Sequence, residues 1–491
     1  MGASRFFSTL APATAALALL AACAVAETPL AHAAPGAWPP PWSDDAPLQQ
    51  DFGVPRFEPP SANHCQRAPT TREVPGGAGW NEGRTRRGLA EERSEAAREA
   101  LTDRSAEAAK SIAPAAPPAA AAVQSLPAPM PRRIAPRHAI VTAGMVDDNA
   151  DFGEYLAYRQ RNAGLPVRDR DVAERYLLEV TDAAGRPVHD AEVAVQRAGQ
   201  HEPVAWARTD TAGRVWLHPR AFLAPGPGDR GDRGDRALGV AVRKGSAWAR
   251  TTLVRGEQRA AMQVRLGQGS VVQRPRLDLV FLIDATGSMG DEIAKLKASM
   301  HAMSQQIAQL PGQPDICYGL VAYRDRGDAF LTRTHDFTDD LGAFQGVLGR
   351  VQAGGGGDTP EALNEALHET VHRLSWRTQA ARMVVLVADA PPHLDYGGPQ
   401  YDLDMQAALA KGIKLFAVGA SGLDPVGEYV FRQMAQYTAG RFVFLTYKDA
   451  ADPGSGPGTQ TPHDVRGYSV QTLDRLIVKL VGDELARLPR G

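Results

Sequence analysis

Two hydroxyl side chains and an acid follow a strongly apolar run near the middle of the chain. The run LVFLI, residues 279–283, leads into Asp284, and Thr286 and Ser288 follow at alternate positions. A continuous apolar run predicts a strand covered on both faces, as in the parallel sheets of α/β domains. Ligands in such sheets bind outside the carboxyl ends of the strands, so these three residues are candidates for a binding site.

A second acid, Asp389, ends a similar apolar segment, VVLVAD. Carboxylate and hydroxyl oxygens from two strand ends are the donors that Mg²⁺ selects, and they leave coordination positions for water or a partner's oxygen. Taken singly, Thr286 and Ser288 equally fit helix caps. Taken together, Asp284, Thr286, Ser288 and Asp389 favour a divalent ion: Mg²⁺, with Mn²⁺ or Ca²⁺ as open alternatives.

The surrounding region, residues 273–487, alternates strand and helix patterns. Such alternation predicts a mostly parallel sheet with helices on both faces, and about 215 residues suffice for one well-cored domain. The predicted order is strand 277–284, helix 291–310, strand 316–323, helices 340–351 and 360–374, strand 382–389, helix 401–412, strand 413–420, helix 427–438, strand 441–446 and helix 469–488.

This region resembles the von Willebrand factor type A domain in its motif and its element order. The resemblance implies a Rossmann-like, doubly wound α/β fold. It also implies that the D-x-T-x-S residues and Asp389 form a metal-ion-dependent adhesion site, at which Mg²⁺ accepts an acidic side chain of a protein partner.

The third loop of that family's site departs from the usual pattern here. The family places a Thr before a helix, whereas this chain has AGGGGDTPEALNEAL, residues 353–367, which resembles a subgroup with GGGD.PEA. We assign Asp358 to the metal site as a coordinating or water-mediated substitute. Thr359 is a weaker candidate, which alternatively caps a helix starting at Pro360. An extra carboxylate would tighten metal binding and weaken the pull of the ion on a partner's acid.

A smaller all-β unit is predicted for residues 137–272. Apolar residues alternate in RYLLEVTDAAGRPVHDAEVAV, residues 175–195, which indicates a hairpin or adjacent strands, and similar short strands recur to residue 266. The turn chemistry resembles the prealbumin-like or carboxypeptidase-regulatory-like Ig-type domain. That resemblance implies a small β-sandwich without catalytic residues.

The first 26 residues are predicted to be an export signal. They contain one early cation, Arg5, and an apolar core that is short for a membrane span. Two processing sites fit: Leu20 to Cys23 resembles a lipobox, which would lipidate Cys23, and Ala24 to Ala26 fits ordinary cleavage before Glu27. We favour the lipoprotein, placed at the outer membrane or cell surface. Otherwise the protein is periplasmic or secreted. Residues 27–136 are rich in Pro and Ala, which predicts a disordered linker.

Composition narrows the choice of partner. The 491 residues carry a formal net charge of -2, which gives no reason to propose nucleic acid. Three cysteines exclude a disulfide framework. Cys65 is expected to be a free thiol and Cys317 a small buried apolar residue. Asp325, after the second strand, is either an outer support of the metal or a turn acid.

No residue pattern indicates catalysis, so we expect a non-enzymatic protein. The leading hypothesis is an exported, metal-dependent protein-binding or adhesion protein. Two alternatives stay open: an envelope subunit that organises a complex and uses the metal structurally, and a metal-dependent hydrolase.

Overall fold

The computed structural model describes residues 65–77, 140–197, 200, 202–223, 236–256, 259–267, 272, 274–357 and 359–489. In chain order the strands are β1 (Thr71–Val74), β2 (Thr142–Val146), β3 (Tyr176–Thr181), β4 (Glu192–Arg197), β5 (Ala205–Arg208), β6 (Arg214–Leu217), β7 (Ala237–Lys244), β8 (Ala247–Val254), β9 (Met262–Arg265), β10 (Arg276–Asp284), β11 (Asp315–Tyr323), β12 (Thr332–Thr338), β13 (Ala381–Ala388), β14 (Ile413–Gly419), β15 (Phe442–Asp449), β16 (Asp452–Pro457) and β17 (Val470–Thr472). The α-helices are α1 (Phe152–Arg161), α2 (Pro219–Phe222), α3 (Gly290–Ala308), α4 (Leu341–Gly349), α5 (Leu363–Arg373), α6 (Tyr401–Lys411), α7 (Pro425–Tyr437) and α8 (Leu473–Leu485).

The large sheet has the strand order β1-β12-β11-β10-β13-β14-β15-β2-β17, and β16 pairs with β15. Its centre is parallel: β10 lies between β11 and β13, and β14 and β15 follow. Each outer strand pairs antiparallel with its neighbour: β12 with β11, β1 with β12, β2 with β15, and β17 with β2. The predicted α/β fold and its order of elements are confirmed, whereas the antiparallel strands β1, β2, β12, β16 and β17 were not predicted.

Helices cover both faces of this sheet, which explains the unbroken apolar strands. Leu279 and Phe281 of β10 point into one core with α3, α4 and α8. Val280 and Leu282, the alternate residues, point into the other core with α5, α6 and α7. Every residue of β10 from Leu277 onward is buried, and Asp278, the acid inside the strand, is accommodated by an ion pair with the buried Arg377.

Strands β3 to β9 form two further sheets, of order β6-β3-β9 and β5-β4-β7-β8, which we call the small β unit. Their buried side chains belong to the same core as α5, α6 and α7. The two strands predicted over residues 175–195 exist, but β3 and β4 lie in different sheets. β3 pairs with β6, and β4 pairs with β5, so the two strands do not form a hairpin with each other. A single bridge links Thr181, at the end of β3, to Pro187 in the segment before β4. The arrangement is consistent with the expected sandwich, and the Ig-type resemblance stays a prediction.

The predicted boundaries at 136 and 272 need correction. Strand β1, from the predicted linker, pairs with β12, and β2, from the predicted sandwich, pairs with β15, so both belong to the large sheet. Helix α1 also joins this domain, because Tyr158 stacks against Tyr429 of α7. TREV and TAGMV are too short and too weakly patterned to reveal their partners, which lie about 260 and 300 residues away.

A disulfide links Cys65 to Cys317, so the expectation of a free thiol at Cys65 is wrong. Cys317 is buried in β11, as predicted, while Cys65 precedes β1 at the edge of the same sheet. Because 252 residues separate the two cysteines, no local pattern indicated that they pair. The bond holds residues 65–77 against the sheet edge, where Thr338 Oγ1 also donates to Arg67 O at 2.6 Å.

The predicted signal, Cys23 and most of the predicted linker lie outside the described residues. Within the described part, the helices are all too short or too polar to cross a membrane.

Candidate metal centre

Asp284 is the last residue of β10, and its carboxylate organises the loop that follows. Its Oδ1 accepts hydrogen bonds from Thr286 N at 2.9 Å and from Thr286 Oγ1 at 2.7 Å. Thr286 Oγ1 lies 3.4 Å from Ser288 Oγ. Asp284 and Thr286 are buried, whereas Ser288 is exposed. The D-x-T-x-S residues therefore form one compact group with its open side at Ser288.

Asp389 joins this group from the neighbouring strand. β13 runs parallel to β10 and ends at Ala388, so both carboxyl ends reach the same edge of the sheet. Burial raises the pKa of Asp389, although a hydrogen bond with Ser288 opposes the shift. The structure thus brings together the four residues carried over from the resemblance, and their role as metal ligands stays a prediction.

The glycine-rich loop closes the third side of the site. Gly287 N donates to Gly355 O at 3.1 Å, and Gly354 N donates to Ala285 O at 3.0 Å. Gly356 has a φ of +67°, and a Cβ there would lie 2.9 Å from Glu361 Oε1. Glycine is required at this position because a side chain would meet both a strained backbone and the carboxylate.

Asp358, the predicted substitute ligand, lies outside the described residues, so its assignment stays a prediction. Thr359 is exposed, and the alternative in which it caps a helix at Pro360 is wrong. Helix α5 starts later, at Leu363, with Ala362 as its N-cap. The local cause is the extended backbone around Glu361, which forms a bridge with Pro392 instead of a helical turn.

Glu361 is a further acid in the site that sequence analysis missed. Its backbone N donates to Pro391 O at 3.1 Å, and its O accepts from His393 N at 3.3 Å, which ties it to the loop after Asp389. Burial, together with the charge of Asp284 and other nearby acids, raises the pKa of Glu361 to about 9. The signal in the sequence was its place in the GGGD.PEA pattern, two residues before helix α5 starts at Leu363.

The acids of the site carry oxygens that lack a hydrogen bond of normal geometry, although the hydroxyl of Tyr323 interacts with the carboxyl of Asp284. Asp284 Oδ2, Glu361 Oε2 and Asp389 Oδ1 are buried and meet no donor within hydrogen-bond geometry. Burial, with the nearby charge of Asp389, raises the pKa of Asp284 to about 7. Buried acids are ordinarily paired or bound to a metal. The donor set therefore fits a divalent cation of the Mg²⁺ type, held by carboxylate and hydroxyl oxygens.

Two more acids, Asp325 and Asp328, hold the loops that form the site. Asp328 Oδ2 accepts from Asp325 N at 3.0 Å and from Gly356 N at 2.8 Å. His393 Nε2 lies 2.9 Å from Asp325 Oδ1. Asp325 was expected to be an outer support of the metal or a turn acid. It contacts His393, whose backbone N in turn donates to Glu361 O. Residues 71–77 reach the same place, since Gly327 N donates to Gly76 O at 3.1 Å.

Fold and site together define a Rossmann-like α/β domain with a cluster of acids and hydroxyls at the carboxyl edge of its sheet. Residues 278–451 match the von Willebrand factor type A domain. The chain therefore contains a domain of this family, and such domains commonly mediate protein-protein interaction.

Curated proteins are similar to this chain over short stretches. Alpha-protein kinase vwkA of Dictyostelium discoideum is 30% identical over 119 residues, which is 24% of this chain and 19% of the relative. von Willebrand factor A domain-containing protein 7 of Mus musculus is 36% identical over 93 residues, covering 19% of this chain and 10% of the relative. The chain thus spans less than a fifth of the length of the curated relatives it matches.

Two solved structures are also similar. The conserved hypothetical protein BatB from Bacteroides thetaiotaomicron is 13% identical, with a TM-score of 0.30, over 43% of this chain and 99% of that chain. The SpRpn10 VWA domain is 14% identical, with a TM-score of 0.26, over 34% of this chain and 87% of that chain.

Proposed function

We propose that this chain is an exported, non-catalytic protein that binds a protein partner through a divalent ion at the edge of its large sheet. One observation carries the proposal: three acids from different segments, Asp284, Glu361 and Asp389, converge with buried, unsatisfied oxygens. Mg²⁺ is the ion that best suits such oxygen donors, with Mn²⁺ and Ca²⁺ as substitutes.

The roles of the residues follow from their positions. Asp284, Asp389 and the hydroxyls of Thr286 and Ser288 would hold the ion, with Asp358 as a further donor. The ion would supply an open position that accepts an oxygen of an acidic side chain on the partner. Ser288 is the exposed member of the group, so the partner would approach from its side.

Glu361 favours a second candidate, in which the ion is structural. A further carboxylate binds the ion more tightly and neutralises more of its charge, so the ion would attract a partner's acid less. The domain would then organise an envelope complex through its surface.

One experiment separates the two. The full chain is used to capture proteins from envelope extracts in Mg²⁺, in chelator and as the variant Asp284→Ala. The matched control is Asp291→Ala, because Asp291 lies on α3 with a side chain 90% exposed. We expect a partner that is captured by wild type and Asp291→Ala in Mg²⁺ and lost in the other two conditions. A folded Asp284→Ala variant that captures the same partner would exclude the adhesion mechanism and favour the structural ion.

Export is a proposal with independent support. The Cys65–Cys317 disulfide suits an oxidising compartment, since disulfides are rare in the cytosol. We propose that Cys23 is the lipidated residue. In a bacterium that performs this modification, the chain should incorporate labelled fatty acid and lose the label in Cys23→Ser. A mature N-terminus at Glu27 would instead demonstrate ordinary cleavage.

A further inference from the structure

A second cluster of potential metal ligands lies between helices α5 and α6. His368 and His372 are four residues apart on α5, so their side chains share one face of that helix, with ring centroids 4.4 Å apart. Asp404 faces them from α6. His368 Nδ1 lies 3.1 Å from Asp404 Oδ1, and His372 Nε2 lies 2.9 Å from the same oxygen.

The three side chains offer one ligand atom each within a small volume. These atoms all lie within 4.8 Å of one another. Tetrahedral ligands at about 2.0–2.1 Å from a zinc ion are roughly 3.3 Å apart. The separations to Asp404 Oδ1, 3.1 and 2.9 Å, are slightly shorter than this spacing, so an ion would require the two imidazoles to move outward from the carboxylate.

The three side chains also differ in exposure, as expected for a metal site with a buried carboxylate and accessible imidazoles. Asp404 is 3% exposed, and its Oδ2 is buried with no hydrogen-bond partner. The His368 and His372 side chains are 37% and 22% exposed. The carboxylate thus lies at the base of the cluster with one oxygen unsatisfied, while the imidazoles open to solvent and leave room for a water as fourth ligand.

We propose that His368, His372 and Asp404 form a binding site for a transition-metal ion of the Zn²⁺ type, separate from the candidate site at the sheet edge. Imidazole nitrogen suits Zn²⁺, Cu²⁺ and Ni²⁺, whereas the all-oxygen group around Asp284 suits Mg²⁺. The two sites are also spatially distinct. Glu361 precedes α5, and His368 lies seven residues further on, roughly 10 Å along the chain at helical rise.

A structural alternative uses the same contacts without a metal. Each neutral imidazole can donate one N–H to Asp404 Oδ1, and the cluster would then only join α5 to α6. The two cases differ in what happens on adding the ion. Only a metal site binds one equivalent of Zn²⁺ through these three residues.

The test is a calorimetric titration of the full chain with Zn²⁺ in the presence of saturating Mg²⁺. A parallel titration with Co²⁺ follows the visible absorption bands that report low-coordinate nitrogen and oxygen ligation. We expect a Zn²⁺ site that persists in Asp284→Ala and weakens at least tenfold in His368→Ala and in His372→Ala. The Co²⁺ bands should disappear in the same two variants. Glu369→Gln is the matched control, because Glu369 lies on the same helix and pairs with Arg72 instead.

Asp404→Asn should also lose the ion. Because Asp404 is buried, this variant is interpreted only if its melting curve shows a folded protein, and otherwise the two histidine variants decide. The proposal is overturned if wild type binds no Zn²⁺, or if both histidine variants bind it unchanged. Loss of Zn²⁺ in Asp284→Ala alone would place the ion at the sheet edge and overturn it equally. Failure here leaves the proposed function untouched, since that depends on Mg²⁺ and Asp284.

Discussion

Arg382 donates a hydrogen bond to Asp190, and this buried pair joins the large sheet to the small β unit. Arg382 Nη1 lies 2.9 Å from Asp190 Oδ1, and Arg208 Nη1 contacts the same oxygen at 2.9 Å. Burial alone would raise the pKa of Asp190, but Arg382, Arg208 and Lys244 hold it well below its usual range. Arg382 is near the start of β13, the strand that delivers Asp389 to the candidate metal centre. The small β unit is therefore attached directly to a strand of the site.

We expect Asp190→Ala to lower the free energy of unfolding by about 3–5 kcal/mol, because the buried Arg382 would lose the carboxylate it pairs with and Arg208 would keep only Glu192. Urea unfolding measures the loss. The control is Glu179→Gln, which breaks an ion pair on the same unit whose partner, Arg214, is 56% exposed. That change should cost less than about 1 kcal/mol. Equal stability of Asp190→Ala and wild type would show that the pair does not hold the unit in place.

Mg²⁺ should stabilise wild type and have no effect on Asp284→Ala. An ion present at a hundred times its Kd adds about 2.7 kcal/mol to the stability of the folded state. The shift of the melting temperature on adding Mg²⁺ is the measurement, and Asp291→Ala should shift as wild type does. If wild type binds no divalent ion by calorimetry, the adhesion-site interpretation fails.

Glu361→Gln should weaken Mg²⁺ binding by about tenfold or more, which corresponds to about 1.4 kcal/mol. The physical reason is the loss of one carboxylate next to the ion. Without metal the substitution should change stability little at pH 7, because the raised pKa of Glu361, about 9, already keeps this carboxyl protonated. Glu365→Gln is the comparison, since Glu365 bonds to Arg326 at 2.8 Å. An unchanged Kd in Glu361→Gln would remove this residue from the site.

Reduction of the Cys65–Cys317 disulfide should destabilise the protein by about 2–4 kcal/mol, because the unfolded chain gains freedom when a long loop opens. Cys65→Ser should melt at the temperature of the reduced wild type and should no longer respond to reductant. Cys23→Ser, which removes the remaining cysteine, should keep the full response. A wild type that melts identically with and without reductant would contradict a structural role for the bond.

Stability should also fall at acid pH because of His218. This residue is buried against Tyr437, with ring centroids 5.2 Å apart, and burial, together with the charge of Arg175, lowers the pKa of His218 to about 3. In the unfolded chain His218 binds a proton below about pH 6.5, whereas in the folded chain it stays neutral down to about pH 3. The free energy of unfolding is therefore unaffected by this group above pH 6.5 and falls as the pH drops below that value. At pH 4.5 the loss should reach about 2–3 kcal/mol.

The check is the pH dependence of unfolding in wild type and His218→Phe. The two curves should run parallel above pH 7, and the variant should fall less steeply between pH 6.5 and 4.5. Parallel curves over the whole range would show that His218 is not the group that titrates.

Local pattern was sufficient for the α/β fold and for part of the site. The run before Asp284 and the segment before Asp389 are buried on both faces, and that burial leaves a signal within eight or nine residues of sequence. The convergence of Asp284, Thr286, Ser288 and Asp389 was expected from the family resemblance, and the structure accounts for it because the parallel neighbours β10 and β13 end at one edge of the sheet.

Tertiary structure decided what depends on contacts between distant segments. Glu361 enters the site because its backbone bonds to the loop at Pro391. It lies within the GGGD.PEA pattern, but that pattern by itself does not separate an acid of the site from an acid at a helix start. β1 and Cys65 join the sheet through partners more than 250 residues away. A segment of four residues such as TREV is too short for its pattern to indicate which strand it pairs with. The sequence by itself therefore determined which strands are buried and which acids end them, because a strand covered on both faces is apolar along a continuous run of residues. Only the folded chain could determine which further acids, cysteines and edge strands meet there, since long-range pairing depends on the shape of the whole domain.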